Sequence, residues 1–341
     1  MSKAGKTALV VGGGPAGLEA AIKIGQAGYQ VILVEKESRP GGYLNQLCST
    51  FPRWDNPQDL LGHKLSQVEE IGGVTLLTDT TVVSGHDGSQ GFTVELSSGK
   101  SVEVEAVVLA TGFNYFDVGQ YGEYGYGVYP GVVNAVEFEA QLKEWSSHRE
   151  DTKPPQAVAF FKCVGSRDRA KGYPYCSRIC CMYTARQAAM VKEIFPETAC
   201  YVFYMDIRAA GKGYEEFVRS TIEDKRVRYV RGRPAKVLPE GDRLQIRSED
   251  TLMGNPIELE VDLVVLAGAI IPKPETVELA RMFGAAVDQY GFLDSELVQP
   301  VQAGSRVYFA GGCGFPVDIH EALEQGAAAA AEVIALFNRP D

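Results

Sequence analysis

Residues 7–17 read TALVVGGGPAG, and the reading of this stretch decides the fold. Thr7 to Val11 is a short β-rich run. The spacing G-x-G-x-x-G follows at once on Gly12, Gly14 and Gly17, with Gly13, Pro15 and Ala16 between them. Residues 15–27 have helical character, residues 30–34 are apolar again, and Glu35 ends that second run. Each glycine has a physical task. Gly12 permits the tight turn, Gly14 lets backbone approach a pyrophosphate, and Gly17 lets the helix pack on the strand. The helix start offers unpaired N–H groups and the positive end of its dipole to phosphates. Glu35 is placed to accept hydrogen bonds from a ribose diol. Strand, turn, helix, strand and acid together predict a dinucleotide-binding turn rather than a glycine loop without a ligand.

The alternation continues outward and predicts parallel strands joined by helical crossovers. Residues 58–71 are helix-like. FTVELS at 92–97 and SVEVE at 101–105 form a hairpin pattern, and 107–110 is a buried strand closing on Thr111 and Gly112. SSHREDTKPP, residues 146–155, is polar and ends in two prolines, so a domain boundary is expected there. Beyond it come strand 156–162, a long loop, helix 176–193, strand 200–205, helix 213–224, β-rich pieces over 226–247 and the buried run LVVLAG at 263–268. Pro272 and Pro274 mark a second hinge. Strand 306–310 and helix 319–337 are expected to rejoin the first domain. The expected architecture is α/β. A Rossmann-type domain of residues 1–150 and 275–341 carries an inserted Rossmann-like domain of residues 151–274.

Composition bounds the function. The 341 residues are 45% hydrophobic with a net charge of −11, which argues against disorder and against nucleic acid or an anionic membrane as the main partner. No apolar run approaches the roughly eighteen residues of a membrane span. The strand pattern starts so early that no signal peptide is expected. A cytoplasmic location is expected with it, and seven cysteines in that setting point to metal or redox use rather than disulfides.

Four of the seven lie in CVGSRDRAKGYPYCSRICC, residues 163–181. With 176–193 as a helix, Cys176 and Cys180 fall one turn apart on one face and Cys181 sits about 100° round. Cys163 comes from the end of the facing strand. A single zinc ion needs its sulfurs in a tight tetrahedron, whereas adjacent helical cysteines diverge. A [4Fe–4S] cube spreads its ligand positions and accepts such neighbours, and Lys162, Arg167, Arg169, Lys171 and Arg178 would offset its charge. Zinc, a redox disulfide without C-x-x-C spacing, and plain core packing stay open as alternatives. The thiols stand where the second unit's phosphate turn would be. That turn reads KCVGSRD and offers only Gly165. The four histidines have no metal-like spacing. Tyr121, Tyr124, Tyr126 and Tyr129 lie among glycines and read as a packed loop.

Two resemblances rest on these residues. GGGPAG, Glu35-Lys36, Gly41-Gly42, ATGF at 110–113 and AGGCGF at 310–315 resemble the flavoproteins with two dinucleotide-binding domains, which include the thioredoxin reductases. This resemblance covers about 1–115 and 290–341. It implies FAD in the first domain, bound by the 12–17 turn, Glu35, Lys36, Gly42, Val82, Ala110, Thr111, Gly112, Gly312, Asp318 and Ile319. The late turn of that family ends Gly-Asp. Here Gly312 is followed by Cys313, and Asp318 is the nearby carboxylate.

The second resemblance is sharper. C-V-G-S-R-D, Y-C-S-R-I-C-C-M-Y, the stretch DIRAAGKGYEEF at 206–217 and GFPVDI at 314–319 resemble the A-type subunits of heterodisulfide reductase. It implies a [4Fe–4S] cluster on Cys163, Cys176, Cys180 and Cys181 close to FAD, in an electron-transfer subunit that works with B- and C-type subunits and forms a homodimer. The chain lacks the additional cluster motifs of the long methanogen forms. It looks like a core-only version, as in the heterodisulfide-reductase-like systems of sulfur oxidisers. Arg186 takes a position where that family often has a lysine near the flavin ring. A self-contained NAD(P)H-dependent disulfide or quinone reductase is the alternative, and it requires a second nucleotide site.

Overall fold

The computed structural model describes residues 5–88, 90–294 and 301–339. The chain opens with β1 (Thr7–Val11), α1 (Pro15–Gln26) and β2 (Gln30–Val34), then α2 (Pro57–Glu70) and β3 (Val74–Leu77). A three-stranded antiparallel meander follows, β4 (Val82–Asp87), β5 (Phe92–Leu96) and β6 (Ser101–Val104), and then β7 (Ala106–Leu109). Strand β8 (Phe113–Tyr115) leads away. The second unit contains β9 (Val132–Asn134), α3 (Ala135–Ser147), β10 (Ala157–Val164), α4 (Cys180–Ile194), β11 (Ala199–Tyr204), α5 (Tyr214–Glu223) and β12 (Arg228–Arg231). A second antiparallel meander, β13 (Lys236–Glu240), β14 (Arg243–Asp250) and β15 (Asn255–Val261), precedes β16 (Leu263–Gly268). The return runs through β17 (Ile270–Pro272), α6 (Pro274–Met282), β18 (Gln302–Gly304), β19 (Val307–Phe309) and α7 (Ile319–Phe337).

The first sheet has the order β18-β19-β7-β1-β2-β3 and is parallel except at β18. Its strands are apolar on both faces, as a sheet covered on both sides requires. Ala8, Val10, Val31, Leu33, Ala106 and Val108 pack with α1 and α7. Their neighbours Leu9, Val11, Val107, Leu109, Val307 and Phe309 pack on the other face with β5 and α6. Helix α7 is alanine-rich because it runs against α1 without room for more. A Cβ placed on Gly326 would lie 2.3 Å from the carbonyl oxygen of Ala16. The second sheet, β12-β11-β10-β16-β9, is parallel throughout, so both units are Rossmann-like.

The insertion is present, but its limits differ from the sequence expectation. The first unit comprises Met1–Asn45, Pro57–Asn114 and Ile271–Asp341, and the second comprises Gln46–Asn56 and Tyr115–Ile270. The first long crossing therefore lies at 114/115 instead of 150/151. The reason is pairing: Val132, Val133 and Asn134 register on Val264, Val265 and Leu266, which ties β9 and α3 to the second sheet. In SSHREDTKPP the two serines end α3, and the remaining residues form a mostly exposed loop between α3 and β10. The return crossing at 270/271 falls just ahead of the expected 274/275. Segment 46–56 had no sequence signature. It packs Phe51 edge-on to Tyr214 and Trp54 against Phe217.

Gly326→Val should destabilise the first unit by about 1–3 kcal/mol through overpacking. The measurement is the unfolding temperature. Gly62→Ala, in α2 with nothing within 4 Å of the added Cβ, should leave that temperature unchanged or raise it.

Candidate functional site

The first site is built by the turn between β1 and α1. Gly12 has φ +111°, and a Cβ there would lie 2.3 Å from the Ala110 carbonyl oxygen. A Cβ on Gly17 would lie 1.9 Å from the Gly12 carbonyl oxygen. Both positions are closed to any side chain. Gly14 is different: a Cβ on it meets nothing within 4 Å, so the space over the turn is open. No side chain caps α1 and its first turn holds no acid, which leaves its N–H groups to a phosphate. This is the shape a pyrophosphate needs. Pro15 and Ala16 begin the helix.

Glu35 is buried at the end of β2 and organises the loop. Its Oε2 accepts from Gly13 N at 2.7 Å and its Oε1 accepts from Glu37 N at 3.0 Å. Each oxygen keeps a second lone pair that a ribose hydroxyl could use. Lys36 pairs with Glu275 at 3.5 Å on the surface. Gly42 has φ +53°, and its would-be Cβ lies 3.6 Å from the Gly14 Cα. Ala110 follows β7, and Thr111 Oγ1 lies 2.6 Å from Thr276 Oγ1. Val82 begins β4 and packs on the first unit's core. Gly312 lies under the ring of Phe113, which a Cβ would meet at 2.4 Å.

Asp318 caps α7 in a reciprocal box with Glu321, accepting from Glu321 N at 2.9 Å, and Ile319 is the first helical residue. Its carboxylate thus has a structural task. The thiol of Cys313, where related turns carry aspartate, is fully buried and donates to Leu109 O and Ala310 O. One residue had no signal in the sequence. Lys273 places Nζ 3.9 Å from where a Gly112 Cβ would stand, and burial and Lys36 hold its pKa below the ordinary lysine value.

The second site lies at the end of β10. Cys163 adopts φ +61°, where the strand's register to β16 is interrupted. The loop beyond it is pinned by hydroxyls. Ser166 Oγ donates to Tyr175 O at 3.0 Å and accepts from Ser177 N at 3.1 Å. Ser177 Oγ accepts from Ile270 N at 2.9 Å. With Ser177 held this way and Arg178 at φ +55°, the helix cannot extend back to residue 176. Helix α4 starts at Cys180, so Cys176 and Cys180 do not share a helical face as the spacing suggested.

Three thiols still meet. Cys163, Cys180 and Cys181 are buried, and Cys180 shares hydrogen bonds with the other two. Cys181 is lowered to about 5, first by the Cys180 thiol, then by the Lys162 ammonium and the Arg208 N–H. Lys162 Nζ stands 3.2 Å from Cys181 Sγ and Arg208 N stands 3.3 Å from it. Cys163 is lowered too, chiefly by Cys180, while Cys180 itself is pushed well up by its hydrogen bonds to Cys163 and Cys181. Cys176 is half-buried and accepts from Arg178 N at 3.3 Å. Arg167 feels both Cys163 and Cys176.

Cys180 and Cys181 also occupy the first turn of α4, whose N–H groups and dipole favour negative sulfur. Among the described residues, no three Cys, His, Asp or Glu groups converge on one ion position. The Lys162 ammonium and the Arg178 and Arg208 N–H groups donate to the sulfurs.

Beneath α4 lies a network that the sequence did not reveal. Arg186 is fully buried in an ion pair with Glu139, and Gln187 Nε2 donates to the same carboxylate at 2.6 Å. Glu139 Oε2 accepts from Cys48 N at 3.0 Å. Burial alone would push the Glu139 carboxyl up, but Arg186, Cys48 N and Gln187 together hold it below the ordinary value. Arg186, whose counterpart is expected near a flavin ring, is thus neutralised inside the second unit. In the Gly-Tyr loop, Tyr121 stacks on Tyr124 at 5.4 Å and donates to Asp168 at 2.5 Å, so the loop is packed as expected.

Comparison with known proteins agrees with this geometry. Residues 6–149 match the family model pyridine nucleotide-disulphide oxidoreductase. The A-type iron-sulfur subunit of the CoB–CoM heterodisulfide reductase of Methanocaldococcus jannaschii is 32% identical, across 96% of this chain and 64% of the relative. The chain is a homologue of the A-type heterodisulfide reductase subunits. The A-type member of a ferredoxin/F420H2-dependent CoB–CoM heterodisulfide reductase of Methanosarcina acetivorans is 30% identical, across 98% of this chain and 54% of the relative. The chain therefore spans less than two thirds of the length of these heterodisulfide reductase subunits. Its fold matches thioredoxin reductase of T. acidophilum with a TM-score of 0.69 at 17% identity, covering 98% of this chain and 100% of that one. The fold is that of two dinucleotide-binding-type domains, and among the described residues no helix is long and apolar enough to cross a membrane.

Two outcomes are expected. Gly14→Leu should fold normally, because its extended backbone and open surroundings tolerate a side chain, yet purify without bound dinucleotide. Absorbance of the purified protein reads this. Arg186→Met should destabilise the second unit by about 3–5 kcal/mol, since it leaves a buried carboxylate unpaired. Glu139 is held below its ordinary value of 4.5, so the pair's contribution is complete above that pH and is lost as pH falls. Thermal unfolding across pH 7 to 3.5 should show a shallower acid limb in Glu139→Gln.

Proposed function

We propose that the chain is a FAD- and [4Fe–4S]-containing electron-transfer subunit of a heterodisulfide-reductase-like complex. It would serve thiol/disulfide or sulfur-compound redox metabolism in the cytoplasm, beside B- and C-type subunits and as a homodimer. One observation carries this reading. Cys163, Cys180 and Cys181 meet, under Lys162 and the Arg208 N–H, at the strand end where a second Rossmann-like unit would otherwise present its phosphate turn. A cluster bound there exchanges single electrons, while FAD exchanges them singly or in pairs.

The chain's own residues then have definite tasks. The open surface over Gly14 and the start of α1 would receive the pyrophosphate, with Glu35 toward the ribose. Cys163, Cys176, Cys180 and Cys181 would hold the cluster. Lys162, Arg178 N and Arg208 N donate to the sulfurs, and such donors raise a cluster's potential. The apolar wall of β10 and α4 keeps water from the three buried thiols. A self-contained NAD(P)H reductase is disfavoured by Gly165, where a Cβ would lie 2.5 Å from the Phe116 ring. The second turn is filled by an aromatic side chain and is not open like the first.

The chain purified without air should hold about four irons and show flavin absorbance with a broad shoulder that dithionite bleaches. Cys180→Ser should lose the iron and the paramagnetic signal while retaining flavin. A yellow, iron-free wild type with full flavin occupancy, or a Cys180→Ser protein with unchanged iron, would remove the cluster from this proposal.

A further inference from the structure

Lys273 stands between Pro272 and Pro274. A residue ahead of proline is kept out of the helical region, and Lys273 is extended, with φ −80° and ψ 137°. Helix α6 starts directly behind it. The fully buried Thr276 holds that first turn to Thr111 through the 2.6 Å hydroxyl contact. The two prolines and the threonine pair therefore form a rigid mount. It directs the lysine to the exit of β7, where Nζ comes to 3.9 Å from the position of a Gly112 Cβ. All of these residues belong to the first unit.

The ammonium at the end of this mount is half-buried, and among the described residues no group pairs with it or accepts a hydrogen bond from it. The acidic groups whose charge reaches it are Glu275, Glu35 and Cys313. Each is engaged elsewhere. Glu275 pairs with Lys36 at 3.5 Å. The two oxygens of Glu35 accept from Gly13 N and Glu37 N. Burial pushes the Cys313 thiol up, which keeps it neutral at neutral pH. Lys36 adds a like charge, and burial and that charge hold the Lys273 pKa below its ordinary value. A cation in this position is under strain that a bound anion would relieve.

The neighbouring backbone says which anion. Gly112 continues from Ala110, whose carbonyl closes on Gly12 at the glycine turn. Residues 12–17 contain no Lys or Arg. The start of α1 presents only about half a positive charge, less than a pyrophosphate carries. Glu35 beside the turn is an acid and would repel phosphate. A full cation is therefore missing from the turn itself. We propose that Lys273 supplies it, as the charge partner of the pyrophosphate of a dinucleotide bound at the first turn. Glu35 would then address the ribose and Lys273 the phosphates, with no bond made or broken. This assignment rests on the dinucleotide reading of the first site and adds its cation.

The probes are FAD and ADP-ribose, which carries the same adenosine and pyrophosphate without a flavin. Each is titrated calorimetrically into the full chain freed of flavin. Lys273→Met should weaken both by the same factor, at least about tenfold. Lys273→Arg, which keeps the cation, should restore most of the affinity. Without ligand, Lys273→Met should unfold at the same temperature as the wild type or higher, because an unpaired half-buried charge is removed. A second measurement needs no variant. Acetic anhydride should modify Lys273 in the flavin-free wild type, and ADP-ribose should protect it, as read by mass spectrometry. Equal ADP-ribose affinity in Lys273→Met, a loss confined to FAD, or modification that ADP-ribose does not slow overturns the assignment and leaves the dinucleotide site standing. A wild type that binds neither probe overturns the dinucleotide site, and this assignment with it.

Discussion

Lys162 holds its ammonium 3.2 Å from Cys181 Sγ although its side chain is nearly fully buried. An unpaired lysine there would cost several kcal/mol, so the sequence must provide partners. It does so on three sides. The Asp206 carbonyl accepts from Nζ at 3.3 Å, and the rings of Tyr204 and Tyr229 face the cation at 5.3 and 6.0 Å. The sulfur supplies the negative partner. Because Lys162 immediately precedes Cys163 on β10, the strand delivers cation and thiol to the same place. The hydroxyl-pinned loop and the first turn of α4 then close on them. The buried ammonium and the Cys181 sulfur thus stabilise one another, and the ammonium would not be stable in the core without its partners.

The two Rossmann-like units make opposite use of one topological position. In the first, the chain leaves β1 through glycines where any Cβ would collide with backbone, and the space above Gly14 stays open. In the second, the chain leaves β10 through a cysteine and an aromatic-capped Gly165. The parallel pairing around the central strand is kept, and only the turn chemistry changes. The difference between the units therefore lies in the turn residues and not in the shared fold.

Much of this was legible because it is encoded locally. Short, continuous apolar runs marked β1, β2 and β16, and Asp318 ahead of an alanine run marked α7. Other features are encoded by distant residues. The C-x3-C-C spacing suggests one helix, but Ser166 and Ser177 bond across the loop and start α4 only at Cys180. The prolines at 154 and 155 signal a loop correctly without signalling a domain limit, because that limit was set by β9 pairing with β16 across more than a hundred residues. Segment 46–56 and the Glu139–Arg186 pair carry no local pattern at all. Arginine and glutamate on separate helices look like surface residues until the packing brings them together. On the site itself, the thiols and glycines were readable by type, whereas Lys273 and the backbone donors to sulfur were not.

The backbone bend at Cys163 has a further implication. A left-handed conformation suits glycine and costs an L-residue on the order of 1–3 kcal/mol. The corresponding exit from β1 is made by glycine, with φ +111° at Gly12. Glycine at 163 would have relaxed the same bend without altering the strand, so thermodynamic stability alone gives no reason for a side chain there. Sulfur at this position is thus held at the expense of backbone strain, which Cys163→Gly would relieve.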